Sequence, residues 1–420
     1  MPSSIIDLEA AHALAKSDPE KAVTQYKALL ESSIGKSDDE VKVRESSITK
    51  LGELYKDLNK ADDLAALIRS SHDFLLSISK AKTAKIVRTL IDQFSEIPNS
   101  LPLQVEVCKE TIQWAVTEKR IFLRQSLETR LCGLYLDNKL YSESLALISS
   151  LLKELKRLDD KNVLVEVQLL ESRVFHALKN LAKSRASLTS ARTSANAIYC
   201  PPLMQAALDM QSGILHAEER DYKTAYSYFY ETLEGYASLE DSRATSALKY
   251  MLLCKIMTNL SEDVHMLSNG KVAQRYGGPD VEAMKAIATA HEHRSLLEFE
   301  QVLAKYKDEL SNDPIVRAHL SFLYDTLLDQ NLLRIIEPYS RVEISHIAAL
   351  VKLPTFQVET KLSQMILDKV FLGILDQGAG CLEVFEEQPA DKTYEATLDT
   401  IKNVGNVVES LYEKAGQLTN

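Results

Sequence analysis

The residues best suited to chemistry are the two histidines of His291-Glu292-His293. A zinc protease of the HExxH class needs its second histidine four positions after the first, so that both imidazoles share one helix face. Ser295 stands at that position here. A zinc deubiquitinase with an HxH motif would need serine and aspartate where this chain has Gln301 and Ala304. On a helix the two histidines would also point about 200° apart, so we expect no metal site.

Other motifs of nucleotide and acyl chemistry are missing from the sequence. Neither a G-x-x-x-x-G-K-[ST] phosphate loop nor a G-x-S-x-G nucleophile motif occurs. Gly378-Ala379-Gly380 lacks the third glycine and the strand-to-helix setting of a dinucleotide loop, so a hairpin turn is the better interpretation. Acidic pairs such as Asp62-Asp63 suit helix starts, where carboxylates favour the helix dipole. We therefore predict no enzymatic activity and no cofactor.

The cysteine spacing indicates the cellular compartment, and the net charge disfavours some classes of binding partner. The five cysteines include no CxxC pair, which predicts reduced thiols in the cytoplasm or nucleus. The net charge of −11 disfavours nucleic acid. No apolar run approaches the roughly 18 residues of a membrane span. The densest basic stretch, which holds Lys80, Lys82, Lys85 and Arg88, is either an ordinary solvated helix face or a docking patch for an acidic partner.

A four-residue pattern returns about every 40 residues along most of the chain. A large apolar residue is followed by two polar or small residues and then a small or apolar one, most clearly from Tyr141, Leu181 and Tyr222. Looser copies begin at Pro19, Ala61, Leu101, Glu262 and Phe299. A unit of this length holds two antiparallel helices and buries its apolar face only against a neighbouring copy. We therefore predict an all-α solenoid of TPR-like helical hairpins over residues 1–310.

The pattern changes after residue 310. A helix, a short strand near residues 341–344, two helices and a strand–turn–strand segment over residues 370–386 follow, which is the order of a winged helix over residues 311–388. The third helix carries balanced charge and the wing holds no Lys or Arg, so we expect a protein partner rather than DNA. We predict that residues 381–385 form an open edge strand that accepts a neighbour's strand. Its contact residues would be Leu382, Val384 and Phe385.

Residues 392–420 form one predicted amphipathic helix with a heptad seam. The apolar residues of the seam proposed as contacts are Leu398, Ile401, Val404, Val408, Leu411 and Leu418. A helix from Tyr394 to Leu418 spans roughly 36 Å at 1.5 Å per residue. It can pack back on its own domain or join a bundle of helices from several chains.

A helical solenoid that leads into a winged helix and a helical tail resembles the PCI family. These proteins are scaffold subunits of the proteasome lid, the signalosome and a translation initiation factor complex. Residues 341–348, 358–369 and 373–378 carry the resemblance in the C-terminal third, and residues 145–156 and 188–200 extend it upstream. The similarity covers nearly the whole chain, and it is strongest to the proteasome-lid branch.

The resemblance implies a non-catalytic scaffold whose winged helix and terminal helix assemble with other lid PCI subunits. It also implies that the N-terminal solenoid reaches an ATPase subunit of the base and an outer-ring subunit of the core particle. The function that we expect is assembly for ubiquitin-dependent proteolysis, without nucleic acid or membrane. The alternative is a scaffold subunit of the paralogous signalosome.

Overall fold

The computed structural model describes residue 14 and residues 18–32, 38–98, 100–311, 313–385 and 392–419. Two compact units divide the chain, Met1–Thr258 and Asn259–Asn420. The last predicted repeats therefore belong to the same compact unit as the winged helix. The division at residue 310, which rests on the sequence pattern, stays a prediction.

The first unit is built from antiparallel helices. Its helices are α1 (Pro19–Ser32), α2 (Asp38–Asp57), α3 (Ala61–Ser77), α4 (Lys80–Ser95), α5 (Leu101–Thr117), α6 (Ile121–Asp137), α7 (Tyr141–Leu158), α8 (Lys161–Ala177), α9 (Leu181–Asn196), α10 (Pro202–Glu218), α11 (Tyr222–Ser238) and α12 (Ala244–Met257). Six of the eight predicted copies of the repeat are confirmed, because their first residues open every second helix from α1 to α11. The copies predicted at Glu262 and Phe299 instead begin one and three residues inside the helices Ser261–Ser268 and Leu296–Lys305. Each repeat is therefore one helical hairpin.

Buried clusters of the hydrophobic core are shared between neighbouring hairpins. One buried cluster joins Cys132 of α6, Ile148 and Leu155 of α7, and Val167 and Val174 of α8. Each large apolar side chain contributes about 1.5–3 kcal/mol when it leaves water. Since these residues come from two successive hairpins, neither hairpin completes its core without the other, as expected of a solenoid.

The turns between successive helices contain non-glycine residues in the left-handed backbone conformation. Lys119, Lys139, Asp159 and Lys179 have φ angles of 52°, 61°, 54° and 58°, and they follow one another at intervals of half a repeat. A left-handed conformation reverses the chain directly after a helix. Non-glycine residues adopt it at a cost of about 1–2 kcal/mol each. This use of Lys and Asp explains how a chain with only 13 glycines makes so many tight corners.

The second unit contains the end of the repeat region, a small sheet and the terminal helix. Its elements are α13 (Ser261–Ser268), α14 (Lys271–Arg275), α15 (Pro279–Glu292), α16 (Leu296–Lys305), α17 (Lys307–Ser311), α18 (Pro314–Ile336), β1 (Arg341–Glu343), α19 (Ile344–Val351), α20 (Thr355–Leu367), β2 (Leu372–Asp376), β3 (Cys381–Phe385) and α21 (Lys392–Thr419). The order from α18 to β3 is that of a winged helix, as predicted.

The strand order of the sheet corrects one prediction. The three strands are antiparallel in the order β1-β3-β2, so β3 is central and the expectation of an open edge at residues 381–385 is wrong. Leu382 pairs with Val342 on one side and with Leu375 on the other. The three-residue strand β1 occupies the position that was expected to be vacant. The outer edges of the sheet are instead β1 and β2.

Candidate protein-interaction surfaces

The wing is a closed hairpin turn without basic side chains. The Asp376 carboxylate accepts hydrogen bonds from the backbone N–H groups of Gly378 and Ala379, at 2.9 and 3.1 Å. Gly380 has a φ of 66°, a left-handed conformation that glycine adopts without strain. The interpretation of this glycine segment as a hairpin turn is therefore confirmed, and the turn offers no cation to a phosphate.

The helix that would read DNA in a nucleic-acid-binding winged helix presents an apolar surface. Phe356 and Leu367 of α20 are 75% and 78% exposed. The Lys361 ammonium lies 3.1 Å from the Asp329 carboxylate of α18, so its charge is already balanced within the unit. Exposed apolar side chains and a neutralised lysine suit a protein surface better than a phosphate backbone.

The exposed edge strand β2 carries apolar side chains on its outer face. Leu372 and Ile374 are 44% and 56% exposed, whereas the intervening Gly373 and Leu375 are half-buried. Within the three-stranded sheet, β2 pairs on one side only, with β3. It therefore offers the unpaired backbone groups and the apolar side chains that strand addition needs.

The three β3 residues predicted as contacts differ in exposure. Leu382 is fully buried and belongs to the core, so it cannot touch a partner in this conformation. Val384 is half-buried, and Phe385 at the end of the strand is 48% exposed. Phe385 pairs in register with Leu372 of β2, so these two exposed side chains lie close together at one end of the sheet.

The terminal helix α21 exposes its whole predicted seam. Exposed fractions range from 51% to 63% over Leu398, Ile401, Val404, Val408 and Leu411. Every side chain from residue 393 to residue 416 is exposed, so this stretch is not packed back on its own domain. The side chain of Leu418 lies outside the described residues. An exposed apolar seam of this length is typical of protein-interaction surfaces.

The apolar face of α21 is wider than the heptad pattern predicts. Val407 and Tyr412, which lie outside the predicted seam, are 59% and 81% exposed. At about 100° per residue they extend the seam on both sides of Val404. A two-stranded coiled coil needs only the narrow seam, whereas this wider stripe suits contacts with more than one helix. A full helical wheel of the sequence would have found both residues.

The basic row on α4 is only partly available. Lys82, Lys85 and Arg88 are all exposed, as predicted. The Lys82 ammonium lies 3.1 Å from the Glu45 carboxylate of α2. The Arg88 guanidinium acts at longer range on the Glu166 carboxylate, whose pKa is raised by desolvation despite that opposing charge. Lys82 is thus engaged within the solenoid, and the docking role of the row stays a prediction.

The paired histidines have separate hydrogen-bonding partners. The buried His291 imidazole places Nδ1 3.2 Å from Ser261 Oγ, and burial lowers the pKa of His291. His293 Nδ1 instead lies 2.9 Å from Glu298 Oε2. The two side chains thus have different partners, and the described parts of the chain contain no group of three potential metal ligands.

The five cysteines form no disulfide with one another, and three of them are buried. All five cysteines are free; Cys108, Cys132 and Cys254 are buried, whereas Cys200 and Cys381 are half-buried. Desolvation raises the pKa of Cys108 to about 11 and of Cys132 and Cys254 to about 12. Such thiols hold their protons at neutral pH and are poor nucleophiles.

Over the described residues, no helix is long and apolar enough to cross a bilayer.

Comparison with known proteins accounts for this combination of elements. Residues 5–138 match the N-terminal domain of the 26S proteasome regulatory subunit RPN6, residues 303–386 match the PCI domain, and residues 390–416 match the RPN6 C-terminal helix domain. The PCI range contains the exposed strand β2, and the C-terminal range covers α21 through residue 416.

Three curated relatives align over most of the chain. The probable 26S proteasome regulatory subunit rpn6 of Schizosaccharomyces pombe is 58% identical, over 98% of both chains. The Arabidopsis thaliana homolog of 26S proteasome non-ATPase regulatory subunit 11 is 54% identical over 91% of both. The Saccharomyces cerevisiae subunit RPN6 is 50% identical over 89% of this chain and 88% of its own. These matches disfavour the signalosome alternative, and the chain belongs to the RPN6 family of 26S proteasome regulatory subunits.

Proposed function

We propose that this protein is a non-catalytic scaffold subunit of the lid of the proteasome regulatory particle. It ties the lid to the base and to the core particle, and it supports assembly for ubiquitin-dependent protein degradation. The observation that carries the proposal is the exposed apolar face of α21, in a chain that belongs to the RPN6 family. A scaffold in the cytoplasm and nucleus is the role that these features support.

The second unit supplies two surfaces for other PCI subunits. The outer edge of β2, with Leu372 and Ile374, suits side-by-side association of winged helices, and Phe385 extends that surface. The face of α21 suits a bundle with the terminal helices of neighbouring subunits. Since both surfaces are apolar and exposed, their burial in an assembly would remove the cost of leaving them in water.

The first unit supplies the second binding interface of the scaffold. Buried clusters that join neighbouring hairpins hold its helices in a fixed order. The exposed basic row of α4 is the candidate contact with an acidic surface of an ATPase subunit or of an outer-ring subunit of the core particle. Joining two modest interfaces in one chain raises the effective concentration at the second interface once the first has formed.

The absence of an enzymatic role is supported by the chemistry of the side chains. The histidines have separate partners, and burial strongly raises the pKa values of Cys108, Cys132 and Cys254. Relatives bear the names of regulatory subunits. We expect the purified chain to leave ubiquitin conjugates intact in a turnover assay.

Removal of residues 394–420 tests the proposal. We expect the shortened chain to keep its helical circular dichroism spectrum, because the side chains of α21 through residue 416 are exposed. Native gels of reconstituted lid should then show no incorporation of the shortened chain. Normal incorporation would rule out the helical bundle as the basis of assembly.

A further inference from the structure

Among the described residues, nothing covers the apolar face of α21. Between Tyr394 and Tyr412, eight large apolar residues are each more than half exposed. Since apolar surface of this extent favours association, the free protein carries a binding face into solution. In a purified preparation, the helix that is always present to meet this face is α21 of a second copy.

The size of the face matches what a stable pair needs. Each half-exposed aliphatic residue presents roughly 100 Å² to water, and each of the two tyrosines presents somewhat more. The eight residues therefore offer on the order of 800 Å² per helix, which is about the area that each partner buries in a standard interface. A second α21 buries an equal area, because the two faces are identical.

The spacing of the seam lets two copies interlock along the whole helix. We consider two α21 helices that run in opposite directions and are centred at the level of Asn406. Ile401 of one copy then lies opposite Leu411 of the other, and Val404 lies opposite Val408. Because Asn406 is at the midpoint of α21, every turn of one helix meets a turn of the other.

The flanks of the seam favour this direction over a parallel pair. In the antiparallel pair, Leu398 lies beside Tyr412 of the other copy, and the two Val407 side chains lie beside each other. In a parallel pair, Leu398 would instead lie beside Thr393, which is polar. The antiparallel arrangement therefore covers more apolar surface. It also brings the positive N-terminus of each helix near the negative C-terminus of the other.

Charge does not oppose this self-pairing. Six of the seven charged residues from Lys392 to Lys414 occupy outer heptad positions, and the exception, Lys414, faces Thr400 of the second copy. Helical pairs exclude wrong partners by placing like charges beside the seam, and the antiparallel pair of α21 helices contains no such contact. A second copy is thus an acceptable partner.

We infer that the free protein forms an antiparallel homodimer through the apolar faces of two α21 helices. The pair has to open before α21 joins helices of other subunits, so self-association holds the subunit in an unassembled reserve. Formation of the pair is independent of the function proposed above, because it takes place in the purified chain. Its competition with lid assembly rests on that function.

Size-exclusion chromatography with light scattering tests the pair on the purified full-length protein. At micromolar concentration we expect the mass of two chains, falling to that of one chain on dilution. The mass should change little with salt, because the charged residues lie outside the seam. Val404→Glu places a carboxylate opposite Val408 and should give the mass of one chain at every concentration.

Asn406→Glu is the matched control, since it adds the same charge about 200° around the helix from Val404. It should keep the mass of two chains. Equal melting temperatures of the three proteins show that both variants fold, as expected for exposed positions. The inference is overturned by a parent protein that has the mass of one chain at all concentrations, or by a pair that survives Val404→Glu.

The direction of the helices is tested by cross-linking. Ile401→Cys and Leu411→Cys are prepared as separate variants and oxidised mildly, alone and mixed. A disulfide requires Cα atoms within about 7 Å, so the antiparallel pair should cross-link in the mixture and not in either variant alone. The parent protein, with its five native cysteines, is the control for unrelated disulfides. Cross-linking of each variant by itself, with no gain on mixing, would identify a parallel pair and overturn the proposed arrangement.

The cross-linked pair also tests the competition with lid assembly. It should not enter reconstituted lid until dithiothreitol reduces the disulfide. A parent protein that is monomeric in solution and still enters the lid overturns the homodimer and leaves the proposed function intact. A homodimer that forms as described but never enters the lid, even as separate chains, supports the inference and contradicts the proposed function.

Discussion

At the scale of single residues, Glu218 connects two successive hairpins. Its Oε1 lies 3.3 Å from His176 Nε2 and 3.4 Å from Lys179 Nζ. These contacts join α10 to the end of α8 and to the turn that follows α8. The hydrogen bond from His176 is the largest cause of a pKa lowered from 4.5 to about 2. A lowered carboxylate pKa means that the ionised form is the one that stabilises the fold.

The pH dependence of Glu218→Gln follows from this shift. Because the folded pKa lies below the unfolded one, the contribution of Glu218 is complete above about pH 4.5 and disappears as the pH falls towards 2. At pH 7 we expect the variant to be less stable by about 1–3 kcal/mol, with the difference closing over that range. Urea unfolding at a series of pH values measures it.

Glu219→Gln is the control, since the neighbouring Glu219 pairs with the largely exposed Arg185 at 3.0 Å. An exposed ion pair contributes less than about 1 kcal/mol. A stability difference for Glu218→Gln that stayed constant from pH 7 to pH 3 would contradict the role assigned to its charge.

The left-handed corners give a second prediction for a single residue. Lys139→Gly removes the side chain at a φ of 61°, where glycine is unstrained. After the entropy that glycine gains in the unfolded chain is subtracted, we expect a net stabilisation of about 0.5–1 kcal/mol. The melting temperature should rise, whereas Lys153→Gly inside α7 should lower it, because glycine is a poor helix former. A lower melting temperature for Lys139→Gly would show that its side chain makes a stabilising contact.

At the scale of elements, the helices and the β2–β3 hairpin were predictable, and the pairing of β1 with β3 was not. The repeat is visible in the sequence because each hairpin needs apolar and small residues at the same positions to pack on its neighbour. One neighbour of β3 in the sheet is β1, which precedes β3 by about forty residues in the chain. A strand of three residues is too short to show a clear periodic pattern in the sequence. The exposure of Phe356 and Leu367 was not predicted, because apolar residues in a helix look the same in the sequence whether they are exposed or buried in the core.

The terminal helix gives a prediction at this scale. Val404→Glu combined with Val408→Glu places charges on the apolar face of α21, where both valines are more than half exposed. We expect unchanged helicity and melting temperature in the free protein, together with loss of incorporation into the lid. Burying one unpaired carboxylate in a bundle costs several kcal/mol, which few interfaces tolerate.

The matched control lies on the opposite side of the same helix. Asp399→Ala changes an exposed residue about 140° away from Val404 and should leave incorporation intact. If the double glutamate variant assembled as well as this control, the apolar face of α21 would have no role in assembly.

At the scale of the whole molecule, the proposal requires partners at two separate sites on one chain. Lys85→Glu combined with Arg88→Glu reverses charge on α4 and leaves the Lys82–Glu45 ion pair in place. We expect lid assembly to continue, because α21 is untouched, and attachment of the lid to the core particle to weaken and to become less sensitive to salt. Sedimentation of reconstituted particles at several salt concentrations measures both effects.

Lys153→Glu combined with Lys156→Glu is the control for that experiment. It makes the same change of charge on the exposed side of α7, within the same unit but outside the row on α4. Equal attachment by both double variants would identify the α4 row as an ordinary solvated helix face.

The central claim is that this chain works as a scaffold inside a multi-subunit particle. Affinity purification of the tagged full-length protein, followed by mass spectrometry of the co-purifying chains, tests it most directly. We predict recovery of other lid PCI subunits together with base ATPase and core-particle subunits, and loss of that whole set when residues 394–420 are removed. Purification of the intact chain alone, or with signalosome subunits in place of proteasome subunits, would contradict the account.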